Sequence, residues 1–147
     1  GDLSMLKEKY AEVTVLVVDD EDALRAMIVT VLRGAGFIVH EASNGRRALD
    51  LIDTFPGKID IILSNIMMPE MNGLEMADEA RLLQPEAAFI FISGYSKELL
   101  MSKQPDQNFR LLIKPFQRHA LFAEIHHALR ARLGAAADSV SGDEFFI

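Results

Sequence analysis

The sequence predicts an α/β fold: a doubly wound, five-stranded parallel sheet with helices packed on both faces. Two observations predict it. Five short apolar segments recur along the chain, and each is followed by a segment in which apolar residues have helical spacing. Strand–helix–strand connections are right-handed almost without exception, so this alternation produces neighbouring parallel strands rather than hairpins.

The strands are predicted from apolar content and from the turn residues that bound them. Residues 13–18, VTVLVV, are continuous and mostly β-branched, which is typical of a strand buried on both faces of a parallel sheet. The four later strands are predicted over residues 37–41, 59–63, 87–92 and 109–113.

The helices are predicted from apolar residues three and four positions apart. Their ranges are residues 20–33, 44–54, 73–84, 97–103 and 117–133. The first carries an apolar stripe of Leu24, Met27, Ile28, Val31 and Leu32. Asn44 is the predicted N-cap of the second helix, and the third stops before Pro85.

The length of 147 residues suits one compact domain. We assign residues 13–133 to this domain. Residues 1–12 are polar and are interpreted as an N-terminal linker or tag, and residues 134–147 as a C-terminal tail.

Composition excludes several classes of protein. The absence of cysteine excludes disulfide frameworks and thiolate metal sites. The net charge of −7, from 22 acidic and 15 basic residues, argues against direct nucleic-acid binding, which needs clustered Lys and Arg. No apolar run approaches the ~18 residues of a membrane span. We therefore expect a cytoplasmic domain that binds neither nucleic acid nor membrane.

Polar side chains follow four of the predicted strands. Asp19 and Asp20 come after the first, Asn65 after the third, Ser93 after the fourth and Lys114 after the fifth. The carboxyl ends of parallel strands meet at one edge of a sheet, so we expect these side chains to share a pocket. Carboxylates suit Mg²⁺, and a hydroxyl beside an ammonium suits a phosphoryl group.

Four motifs in this order resemble the receiver domain of two-component response regulators. They are VLVVDDE (15–21), IILSNIMMPEMNG (61–73), FISGY (91–95) and IKPF (113–116). The resemblance covers most of the chain. It implies the flavodoxin-like (βα)5 fold with strand order 2-1-3-4-5 and a role in phosphorelay signalling, without an enzymatic activity of its own.

The resemblance also implies a metal site. Asp19 and Asp20 would hold Mg²⁺, Asp20 directly and Asp19 largely through water. Position 65 would be a third side-chain ligand, and Met67 would contribute its backbone carbonyl.

Two further positions would serve the phosphoryl group in such a domain. Ser93 would donate its hydroxyl to it, and Lys114 would pair with a phosphoryl oxygen and with the acceptor carboxylate. The Lys114–Pro115 peptide bond would be cis, an isomer that proline tolerates.

Asn65 departs from the family, which has the phosphoacceptor aspartate there. A neutral amide nitrogen is a donor and not a nucleophile, so we expect this chain not to be phosphorylated and to bind Mg²⁺ more weakly. The residue is either an engineered block in an otherwise complete receiver or native to a pseudo-receiver that acts as a phosphorylation-independent interaction module.

The implied partners are a histidine kinase or a histidine phosphotransfer protein, which would donate the phosphoryl group to an aspartate at position 65. A homodimer would form through the fourth predicted helix, the fifth strand and the last helix. The chain could also be the receiver segment of a hybrid sensor kinase.

Overall fold

A single parallel sheet organises the part of the chain that the structure describes. The computed structural model describes residues 10–94 and 110–133. Its strands are β1 Thr14–Val18, β2 Ile38–Ala42, β3 Ile61–Asn65, β4 Ala88–Ser93 and β5 Arg110–Ile113. They are all parallel and lie in the order β2-β1-β3-β4-β5, which confirms the predicted fold class and strand order.

Helices connect the strands and cover both faces of the sheet. Within the described ranges they are α1 Asp22–Ala35, α2 Gly45–Thr54, α3 Gly73–Leu83 and α4 Arg118–Leu133. The predicted helix over residues 97–103 lies outside the described residues, as do residues 1–9 of the predicted linker and the predicted tail. In the described ranges, no helix is long and apolar enough to cross a membrane.

Alternate residues of β1 point into two separate apolar clusters. Val15 and Val17 pack with buried residues of α1 and α4 on one face. Leu16 and Val18 pack with buried residues of α2 and α3 on the other. Because both faces are covered, β1 and β3 are buried along their entire length, as the continuous apolar run at residues 13–18 predicts.

The third strand lies two residues later than predicted. The predicted range began at Ile59, which is buried but donates its amide to the side chain of Gln84 rather than to a strand. The sheet register instead runs to Asn65, which pairs with Ile92 of β4. Asn65 is therefore the last residue of the central strand, and its backbone is paired with β4.

The predicted apolar stripe of α1 was wrong at one residue. Met27 is 51% exposed, whereas Val29 is buried with Ile28 and Leu32. The helix begins at Asp22 rather than at residue 20, because Asp19 and Asp20 form the loop that leaves β1. Asn44 accepts a hydrogen bond from the Arg47 amide and is the N-cap of α2, as predicted.

The ordered core begins before the predicted domain boundary at residue 13. Tyr10 lies within the predicted linker, but it is only 2% exposed and stacks on Phe37, with 4.2 Å between the ring centroids. Phe122 of α4 flanks the same pair. A single aromatic residue in a polar segment does not signal burial in the sequence. Only the packing of Tyr10 on Phe37 shows that this residue belongs to the core.

Tyr10 predicts a loss of stability at high pH. Burial raises the pKa of its phenol to about 12, above the usual value of about 10. The unfolded chain therefore loses this proton first, so the free energy of unfolding is undiminished below about pH 10 and falls between about pH 10 and 12. Urea unfolding of the wild type and of Tyr10→Phe between about pH 10 and 12 measures this fall in the free energy of unfolding. The variant should lose less stability, and parallel curves would contradict the prediction.

Candidate functional site

The parallel sheet brings the predicted site residues to one edge. Asp19 and Asp20 follow β1, Asn65 ends β3, Ser93 ends β4 and Lys114 follows β5. These four strands are adjacent, and their pairing continues to their carboxyl ends. The edge predicted from the sequence is therefore the edge at which these residues lie.

Asp19 is a carboxylate enclosed by protein. It is fully buried, and its Oδ1 accepts a hydrogen bond of 2.9 Å from the Glu21 amide. Its Oδ2 has no hydrogen-bond partner among residues 10–94 and 110–133. Burial raises the pKa of Asp19, while the Glu21 amide and the Lys114 ammonium oppose the rise. An unpartnered buried oxygen of this kind suits a cation.

Arg25 fixes the backbone beside this carboxylate, and sequence reasoning missed it. Its Nη1 donates to the Asp19 carbonyl at 2.7 Å, and its Nε donates to Glu41 at 3.0 Å. Its Nη2 lies 2.8 Å from Asp22. The guanidinium thereby ties the ends of β1 and β2 to the first turn of α1. No motif signals this contact, because the three partners converge only in the folded chain.

Asn65 lies at the centre of the site and is 4% exposed. Its Nδ2 donates one hydrogen bond of 3.3 Å to Asp20 Oδ1 and another of 3.0 Å to the Met67 carbonyl. Asp20, Asn65 and Met67, three of the four residues of the predicted metal set, are thus joined by hydrogen bonds from the Asn65 side chain.

The loop from β3 to α3 folds tightly against Asn65. The Gly73 amide donates to the Ile66 carbonyl at 2.9 Å, and the Ser64 hydroxyl donates to the Asn65 carbonyl at 3.0 Å. A Cβ at Gly73 would lie 2.3 Å from the Asn65 carbonyl oxygen. A capping box between Asn72 and its N3 glutamate starts α3 there.

Lys114 approaches the site from the opposite side. Its amide donates to the Ser93 carbonyl at 2.7 Å, and its Nζ lies 3.8 Å from Glu21 Oε2. The Ser93 side chain is buried. The Lys114–Pro115 bond is cis, as the resemblance implied. In the described structure the ammonium thus has an ion pair with Glu21, while position 65 presents a neutral amide.

The donor set fits a divalent cation only in part. Asp19 and Asp20 are suitable ligands, but the side chain at position 65 directs an NH₂ group toward the oxygens that a cation would need. Within the described residues no group of three His, Cys, Asp or Glu could hold a metal ion. As it stands, Asn65 does not fit the magnesium site that the resemblance implies.

Comparison with known families agrees with this geometry. The family model described as "Response regulator receiver domain" matches residues 15–126. The chain belongs to this family. The matched range holds all four strand ends of the site.

Curated relatives include both separate receivers and parts of larger proteins. The chain is 39% identical over 117 residues to the sensor kinase CckA of Brucella abortus (strain 2308), covering 79% of this chain and 12% of that protein. It is 31% identical to the response regulator receiver protein CpdR of the same strain, covering 80% and 97%. It spans only 12%, 25% and 32% of the lengths of three curated relatives, CckA among them.

Solved structures show the same fold. The receiver domain from the hybrid histidine kinase CckA is 31% identical, with a TM-score of 0.68, covering 79% of this chain and 98% of that one. The chemotaxis protein CheY4 of Vibrio cholerae is 28% identical, with a TM-score of 0.71, covering 80% and 98%. The receiver fold therefore spans 98% of each of these solved chains and 79–80% of this chain.

Removing the buried charge should stabilise the metal-free protein. Burial favours the protonated form of Asp19, so the wild type pays no penalty below the usual Asp pKa of about 3.9 and an increasing one as pH rises through the raised pKa. Asp19→Asn keeps an acceptor for the Glu21 amide. Urea unfolding without divalent cations should show the variant gaining stability over the wild type as the pH rises above about 3.9.

Asp53→Asn is the matched control for this comparison. It removes one acidic charge from the exposed surface of α2, so it reports the effect of net charge alone. A pH-independent difference between Asp19→Asn and the wild type would contradict burial as the cause.

Gly73→Ala should destabilise the fold by about 1–3 kcal/mol, because the added methyl group meets backbone that cannot move independently. Gly34→Ala in α1 is the control, since a Cβ there meets nothing within 4 Å and alanine favours a helix. Thermal and urea unfolding compare the two. Equal stabilities for both variants would show that the close approach at Gly73 is unimportant.

Proposed function

We propose that the domain is a phosphorelay receiver in which position 65 is the phosphoacceptor position and Asn65 blocks the transfer. The observation that carries this proposal is the place of Asn65. It ends the central strand, contacts Asp20 directly, and lies at the edge shared with Ser93 and Lys114.

Phosphoryl transfer needs an anionic oxygen in line with the leaving group and positive charge around the transferred oxygens. An aspartate at position 65 would supply the nucleophile. Ser93 and Lys114 would bind the phosphoryl oxygens, and Asp19, Asp20 and the Met67 carbonyl would hold a Mg²⁺ ion that neutralises them. The amide of Asn65 supplies neither the negative charge nor the nucleophilic oxygen.

The phosphoryl donor in this proposal is a histidine kinase or a histidine phosphotransfer protein. The chain is 39% identical to the sensor kinase CckA over 12% of the length of that protein. This similarity supports a receiver segment that works beside a kinase. The output is a changed partner surface that includes β5 and α4, and this surface would also serve as a dimer face. Phosphate would act by favouring one of two packings of this surface.

A second candidate is a phosphorylation-independent interaction module. The observation that favours it is the pair of hydrogen bonds made by the Asn65 amide, which satisfies this side chain without phosphate or metal. Both candidates describe a domain that is not phosphorylated as it stands. They differ in whether the rest of the site is competent when an aspartate is restored.

Restoring the aspartate tests the proposal. Asn65→Asp, incubated with acetyl phosphate and Mg²⁺, should gain the mass of one phosphoryl group by intact-mass spectrometry. The wild type and Asn65→Ala should gain none, since neither has an anionic oxygen at position 65. Chelation of Mg²⁺ should abolish the gain.

A folded Asn65→Asp protein that stays unmodified would reject the receiver proposal and favour the interaction module. Circular dichroism of the same sample establishes that it is folded. Modification of Asn65→Ala to the same extent would place the accepting residue elsewhere and reject the assignment of position 65.

A further inference from the structure

The two acceptors of the Asn65 amide belong to the predicted metal set. Asp20 Oδ1 lies 3.3 Å from Nδ2, and the Met67 carbonyl oxygen lies 3.0 Å from it. A carbonyl cannot donate a hydrogen bond and an ionised carboxylate cannot either. The amide must therefore direct its NH₂ group, and not its oxygen, toward both partners.

We propose that the Asn65 amide replaces the divalent cation of this site. Its two N–H groups bridge the Asp20 carboxylate and the Met67 carbonyl, hold them in place without metal, and exclude Mg²⁺. The inference rests on the location of the site proposed above, but it does not require phosphoryl transfer to occur.

The charge and donor balance supports this replacement. A carboxylate at position 65 would place an oxygen about 3 Å from two other oxygens with no donor between them, an arrangement that needs a cation. The amide converts both contacts into hydrogen bonds, of which the one to Asp20 is charge-assisted. It also removes one negative charge from a site that already contains the buried Asp19.

Lys114 does not perform this role in the described structure. Its ammonium lies 3.8 Å from Glu21 Oε2, where it forms an ion pair with that residue. The amide of Asn65 is the group that hydrogen-bonds both Asp20 Oδ1 and the Met67 carbonyl.

The bridge also connects two loops. Asp20 belongs to the loop between β1 and α1, and Met67 to the loop between β3 and α3. A cation that took these oxygens would have to break both hydrogen bonds, and the amide would have to rotate before its oxygen could act as a ligand. The domain should therefore keep one arrangement of these loops whether or not Mg²⁺ is present.

Thermal unfolding with and without Mg²⁺ tests the replacement in three proteins: the wild type, Asn65→Asp and Asn65→Ala. Added MgCl₂ is matched in ionic strength by NaCl. Without Mg²⁺ the wild type should have the highest melting temperature, because Asn65→Asp introduces repulsion and Asn65→Ala leaves both acceptors without their donor. Mg²⁺ should raise the melting temperature of Asn65→Asp and leave that of the wild type unchanged.

Direct binding gives the second measurement. In a Mg²⁺ titration followed by NMR, the Asn65 side-chain NH₂ resonances of the wild type should keep their positions. The Kd of Mg²⁺ should be on the order of tenfold or more weaker for the wild type than for Asn65→Asp, since fewer anionic ligands are present.

Asn44→Ala is the control for destabilisation alone. It removes the N-cap of α2 and should lower the melting temperature without changing the response to Mg²⁺. If Mg²⁺ raised the melting temperature of any less stable variant, it would also raise that of Asn44→Ala.

Two results would overturn the inference: equal Mg²⁺ affinity for the wild type and Asn65→Asp, or equal melting temperatures for the wild type and Asn65→Ala without Mg²⁺. Failure of the proposed function is distinguishable from both. If a folded Asn65→Asp protein binds Mg²⁺ more tightly than the wild type but accepts no phosphate, the receiver proposal fails, and the inference about the Asn65 amide stands.

Discussion

The complete burial of β3 between β1 and β4 is the constraint on which the rest of the structure depends. Both faces of this strand lie under helices, so its register cannot slip by one residue without exposing the apolar side chains of one face. That register places Asn65 at the end of the central strand. The loops after β1 and β3 then meet at its side chain.

The site balances its charges with protein groups. The fully buried Asp19 receives a hydrogen bond from a backbone amide, and Arg25 holds its carbonyl. The Asp20 carboxylate accepts a hydrogen bond from the Asn65 amide, and Glu21 forms an ion pair with Lys114. Each acidic residue of the loop after β1 therefore has a donor or a cation beside it. The exception within the described residues is the buried Asp19 Oδ2, which has no hydrogen-bond partner.

Much of the fold was predictable because its signals are local. A continuous β-branched run indicated β1, and Asn44 identified the start of α2. Signals of the same kind misled where burial depends on distant partners. Met27 has the spacing of a core residue but faces solvent, whereas Tyr10 sits in a polar segment and stacks on Phe37. Ile59 is apolar and buried without belonging to a strand.

The sequence by itself determined the alternation of strands and helices and the residues at the strand ends, because these follow from residue type and spacing. The family and the strand order followed from the resemblance of its four motifs to receiver domains. The sequence also determined that position 65 is an amide and not an acid. Only the tertiary structure decided what that amide does. The Asp20 carboxylate is 45 residues away along the chain, and the direction of the amide depends on which oxygens folding brings within hydrogen-bonding distance.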